Sequence, residues 1–228
     1  MNNQPGLIHA ASATTATLLA ALMLPFATVA GADTGATHVI GNFSAGNLAD
    51  WSEQVFKGHT VYQPATIDGR QALSAVSAAS ASGLHKKVKI DLAATPYLEW
   101  SWRTDDILRG IDETTRAGDD YPLRLYVIFS RGWFFWQTYA LCYVWASNKP
   151  ADAAWPNAYT SNTIQLAVQS GEARLGEWLD YRRDVRADIK RYMGFDVDHI
   201  DAVAIMTDTD NSAQRASAWY GDIIFSGN

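Results

Sequence analysis

Two acidic clusters and two arginines carry most of the chemistry available to this 228-residue chain. Asp119 and Asp120 stand in Gly118-Asp119-Asp120-Tyr121-Pro122, a turn that leads into an alternating stretch. Asp208-Thr209-Asp210-Asn211 follows another such stretch. Two carboxyls in unlike environments can act as general acid and base, and glycoside hydrolysis needs little more. If the chain turns over a substrate, Asp119 and Asp120 are the expected catalytic residues, either of them working with Asp208 or Asp210. Asp208, Asp210 and Asn211 offer three oxygen-bearing side chains within four residues, a composition that suits Ca²⁺, although the spacing is not that of an EF-hand loop. The plainer reading of every one of these acids is a turn, because Asp bonds its own backbone beside a Pro-containing bend. Pairing of Asp120 with Arg103 or Arg124 is an equally ordinary use.

The strand after the first acidic turn must position this chemistry. In residues 123–129, Leu123, Leu125, Val127 and Phe129 share one face, while Arg124, Tyr126 and Ile128 share the other. The first face suits a core. A cation and a phenol on the second predict a wet groove, since an arginine seldom faces a dry core unpaired. Tyr126, Tyr143 and Trp145 are the aromatic residues expected to line that groove. With Arg103, Asp119, Asp120 and Arg124 they make up the expected ligand-binding set. Leu98, Trp100 and Trp102 alternate on one face and are expected in the core.

Other chemistries find little support. The net charge of −6 argues against a nucleic-acid partner. Cys142 is the single cysteine, which rules out an intramolecular disulfide; in its apolar strand it reads as a buried thiol. No Gly-rich phosphate loop and no Gly-x-Ser-x-Gly nucleophile motif is present. Residues 1–32 contain no Asp, Glu, Lys or Arg. Residues 18–30 form a short apolar run followed by small residues, the pattern of a signal peptide too short to span a bilayer. The expectation is an exported protein, periplasmic or secreted, without a stable membrane anchor after cleavage. Residues 33–228 would then form one monomeric domain.

Along that domain the pattern predicts nine or ten short strands, two long exposed loops at residues 105–118 and 147–161, and one helix. Asp184 caps the helix, Val185, Ile189, Tyr192 and Met193 form its apolar stripe, and Gly194 ends it. Asp68-Gly69 marks a hairpin. Trp51 and Phe56 read as core anchors, residues 77–82 as a flexible strand end, and residues 218–225 as the strand that closes a sheet. Such spacing predicts an all-β fold, an antiparallel two-sheet sandwich of jelly-roll type with one short helix, similar in look to a carbohydrate-binding module.

Several separated motifs carry a family resemblance. They are Leu98-Glu99-Trp100-Ser101-Trp102-Arg103, the Gly118–Pro122 turn, Arg124-Leu125-Tyr126-Val127, Tyr143-Val144-Trp145, Arg183-Asp184-Val185, Ala204-Ile205-Met206-Thr207-Asp208-Thr209-Asp210-Asn211, and Tyr220-Gly221-Asp222-Ile223. In this order, over residues 42–225, the chain resembles a bacterial family catalogued as domain of unknown function 3047. The resemblance implies an exported single-domain protein and no particular activity. The function expected from the residues is binding of a glycan or other small ligand without catalysis. A carboxylate-based hydrolase and an envelope factor that binds another protein are the alternatives.

Overall fold

A computed structural model describes residues 35–132 and 137–227. The expected signal segment at 1–32 and the aromatic run at 133–136 lie outside the described residues. Thirteen strands are present among them. The first seven are β1 (Thr37–Gly41), β2 (Ser52–Lys57), β3 (Val61–Ile67), β4 (Arg70–Ala78), β5 (Ala81–Asp91), β6 (Tyr97–Thr104) and β7 (Tyr121–Ser130). There follow β8 (Thr138–Ala146), β9 (Ala154–Pro156), β10 (Thr163–Ser170), β11 (Leu179–Asp184), β12 (His199–Asp208) and β13 (Arg215–Ser226), with the helix α1 (Val185–Met193) between β11 and β12.

The strands form a two-sheet sandwich of jelly-roll type. One sheet runs β11-β6-β13-β4-β3, with β1 alongside the end of β13; the other runs β2-β5-β12-β7-β8-β10-β9. Every pairing is antiparallel except β8 with β10, which is parallel. β13 lies centrally, between β6 and β4, so residues 218–225 form an interior strand of their sheet.

Alternation explains the core. Leu123, Leu125, Val127 and Phe129 of β7 meet Val203 and Ile205 of β12, and both strands face Trp100, Trp102, Tyr220 and Phe225 of the opposite sheet. Trp100 stacks on Tyr181 of β11 with ring centroids 5.0 Å apart. Its ring also lies 5.1 Å from Tyr143 of β8, which ties the two sheets together. α1 has the predicted caps: Asp184 accepts from the Ala187 N–H at 2.9 Å, and Gly194 takes the left-handed conformation. Buried Asp188 on α1 binds Arg183 through both oxygens, at 2.8 and 2.6 Å, and accepts from the Tyr143 hydroxyl at 3.0 Å.

The loops depart most from expectation. Residues 105–118 are not an exposed loop throughout, because Leu108 and Glu113 are buried. Glu113 accepts backbone N–H bonds from Ser147, Asn148 and Lys149, which clasps this loop to the one after β8. That second loop contributes β9, whose Trp155 donates its indole N–H to the Glu113 carbonyl. The two loops thereby cover part of the outer face of the seven-stranded sheet, burying Tyr121, Cys142, Val144 and Trp155 in a second apolar cluster. Residues 77–82 are the ends of β4 and β5 joined by a tight turn at Ala79 and Ser80. There Ser77 bonds Ser80 and Thr209 in a buried hydroxyl cluster. Phe56 is 68% exposed on the end strand β2 and is no core anchor.

Candidate functional site

Where the loop layer stops, the outer face of the seven-stranded sheet opens into a cavity of about 570 Å³. Its walls have different origins. Phe56 and Lys57 come from β2, Asp119 from the turn before β7, and Asn157 and Tyr159 from the loop after β9; Arg124, Tyr126, Met206 and Asp208 form the floor. The turn is held by a close approach at Gly118, where any Cβ would lie 2.3 Å from the Asp112 carbonyl oxygen. A side chain there would push Asp119 and Asp120 out of place.

Arg124 is the buried centre of the site. One amino group donates to Asp208 Oδ2 at 2.7 Å and to the Asp119 carbonyl, and lies 3.7 Å from Asp119 Oδ1. The other amino group donates to the Tyr126 hydroxyl at 3.0 Å, and the guanidinium lies 4.2 Å above the Tyr121 ring. Its Nε–H finds no acceptor among the described residues. Asp119 accepts from Asn157 Nδ2 at 2.9 Å, while the Tyr121 N–H donates to Asp208. Asp120 is fully buried and takes three donors: the Asn211 N–H, Asn211 Nδ2 and, at 2.6 Å, the Ser212 N–H.

Asp119 and Asp208 thus share Arg124, Lys57 lies 3.8 Å from Asp210, and Asp120 lies beside Asp208 and Asp210. Burial pushes the Asp208 carboxyl well above its ordinary range; Arg124 opposes this, and the Asp120 and Asp119 charges add to it. Burial and Asp120 raise Asp210 in the same way. Burial also raises Glu113, against the pull of its three backbone donors. Oxygens of Asp120, Asp208 and Asp210 all lie within 4.8 Å of one another, a spacing that could hold a metal ion.

The residues expected to bind ligand do not all converge. Asp119, Arg124 and Tyr126 line the cavity, and Asp120 supports it from behind. Arg103 does not take part. It lies on β6 in the other sheet, paired with Asp68 and Asp105. Tyr143 and Trp145 are likewise not groove residues. Tyr143 is paired in register with Leu125 and Trp145 shares its face, so both enter the core, where neither is exposed. The residues of β8 on Tyr126's side are Cys142 and Val144, beneath the loops. Asn211 lies at the edge of this acidic group. Its amide nitrogen faces Asp120 and Asp210 and its oxygen accepts from the Tyr159 hydroxyl at 2.8 Å, so Asp120 completes the acidic group. Phe56, Asn157, Tyr159 and Met206 were missed. The alternation of β12 could have put Met206 beside Ala204 and Asp208, whereas loop residues leave no such signal.

No curated protein matches the chain in sequence. Among solved structures, the fold is similar to a family 11 carbohydrate-binding module from Clostridium thermocellum (7% identity, 84% of this chain and 95% of that one, TM-score 0.44). It is also similar to a thermostable cellulase derived from Cel12A of Rhodothermus marinus (9% identity, 83% and 100%, TM-score 0.48). A third is the K1 adhesin domain of Lys-gingipain from Porphyromonas gingivalis (14% identity, 85% and 99%, TM-score 0.39). One family model matches residues 49–224, and the chain belongs to that family, described as "Protein of unknown function (DUF3047)".

Proposed function

We propose that the protein binds a glycan in the cavity on the outer face of its seven-stranded sheet and does not turn it over. The observation that carries this reading is the lining. The rings of Phe56, Tyr126 and Tyr159 offer apolar faces, and Asp119, Asn157 and Asp210 offer hydrogen-bonding groups around them. A sugar ring has the matching character: apolar C–H faces and a rim of hydroxyls that donate to carboxylates and accept from N–H groups. Binding is preferred over hydrolysis because Asp120 and Asp208 are already engaged by donors within the protein. In this reading the protein acts after export, on the strength of the apolar run at residues 18–30.

The test is a glycan array on residues 33–228, followed by calorimetry on the hits. Phe56→Ala and Asn157→Ala should each weaken binding by about 1 kcal/mol or more. Tyr143→Phe, in the core, should leave the affinity unchanged, and no reducing sugar should be released. An empty array, or hits indifferent to both cavity variants, would defeat the proposal.

A further inference from the structure

We propose that the groove takes an amphiphilic glycan, with the sugar in the carboxylate-lined cavity and an apolar tail in a second cavity beside it. This rests on the glycan reading and adds the chemical class of the group attached to the sugar. The second cavity, of about 320 Å³, continues from the first, since Phe56, Tyr126 and Met206 line both.

The register of the sheet shows how the continuation is made. Gln54 of β2 pairs with Gly83 of β5, and Gly83 with Met206 of β12. In the next row His85 pairs with Ala204, and Ala204 with Tyr126 of β7. Small residues, Gly83 and Ala204, therefore form a floor between taller neighbours, with Phe56 on one side and Tyr126 and Ile128 on the other. A Cβ at position 83 would come within 3.0 Å of the Ile205 carbonyl and 3.4 Å of the Met206 Cβ, so glycine keeps this floor low.

The chemistry changes along the trough. The first cavity holds Asp119, Asp208, Asp210, Arg124 and Lys57, whereas among the described residues the lining of the second contains no carboxylate, lysine or arginine, and besides Tyr126 its polar side chains are Gln54 and His85. A sugar ring placed there would bury hydroxyls with few partners, at a cost for each unpaired group. An alkyl or other apolar tail would bury only surface that water already disfavours. Met206 is an adaptable wall, and with Ile128 it gives an apolar lining that suits a flexible chain better than a flat sugar face. Head and tail thus match the two ends of one continuous groove.

Matched methyl and n-octyl β-glycosides of glucose, galactose and mannose, kept below the micellar concentration, test this by calorimetry. The octyl member of a bound pair should bind at least tenfold tighter, since two or three fully buried methylenes already give that much. Its heat capacity of binding should be the more negative. Ile128→Gln and Ala204→Gln, each checked for a folded far-ultraviolet spectrum, should remove the octyl advantage and leave the methyl glycoside unaffected. Equal affinities within every pair overturn the inference and leave the glycan reading standing. Octyl binding that ignores both the sugar and the two variants also overturns it, as adsorption. If no glycoside binds and the glycan array is empty, both readings fall.

Discussion

Replacing Arg124 by methionine probes the arrangement at its centre. The guanidinium and the Asp208 carboxylate meet at 2.7 Å, with their side chains 3% and 4% exposed, so water cannot replace the lost partner. Breaking a buried pair from one side costs about 3–5 kcal/mol, because the other charge remains uncompensated. In a folded unit of this size that lowers the melting temperature by roughly 6–20 °C. The loss should be greater at pH 8 than at pH 5. Asp208 already has a raised carboxyl in the folded state, and without Arg124 it rises further. A raised acid favours the fold below its unfolded pKa and loses that advantage as pH climbs through the folded one, so acid should rescue the variant. Arg124→Met combined with Asp208→Leu should recover most of the stability, since an apolar pair carries no desolvation penalty. Urea midpoints of the two single variants and the double, at both pH values, complete the cycle. A loss below about 1 kcal/mol for Arg124→Met, or simple additivity in the double variant, would refute the claim that these two groups depend on each other.

The wild type should share the acid preference in weaker form. Glu113, Asp208 and Asp210 are all raised, so melting temperature should increase as pH falls from about 8 to 5. It should decline again below about pH 4, where the depressed carboxyls of Glu53, Asp112 and Asp196 lose their ionised partnerships; a scan that falls steadily from pH 8 contradicts this account. Calcium, if held by Asp120, Asp208 and Asp210, should stabilise the fold by about 2.7 kcal/mol at a hundredfold excess over its dissociation constant, and Asp210→Asn should remove the effect. Thermal curves that do not move with calcium or chelator exclude that assignment.

What the sequence disclosed follows from how local each cause is. The helix at Val185–Met193 was legible because its cap, stripe and terminal glycine lie within eleven residues. The two faces of β7 were legible because alternation belongs to the strand itself. Which face its neighbour shows depends on register, and no sequence pattern stated that Tyr143 lies opposite Leu125. The same gap separated Arg103 from the site, since nothing along the chain assigns β6 to the other sheet. Asp120 joins Asp208 and Asp210 through the turns at the ends of β7 and β12, an encounter visible only in three dimensions. The buried loops were hidden for another reason. Glu113 in a polar stretch reads as solvated, and its three N–H donors come from residues more than thirty positions away.

The strands that end the two sheets bear on a different matter, what discourages pairing between sheet edges of separate copies. The free edge of an end strand is a template for another chain, and β2 presents such an edge with Phe56 exposed on it. Each end carries an obstacle to growth. β3 contains Pro64 and β9 ends in Pro156, which remove backbone donors; β11 carries Asp180, Arg182 and Arg183. On β2 the obstacle is Glu53 and Lys57, flanking the very segment that supplies the groove's aromatic wall. Lys57 therefore has two consequences at once: it completes the rim beside Asp210, and its charge discourages a second β2 from pairing where a ligand would lie.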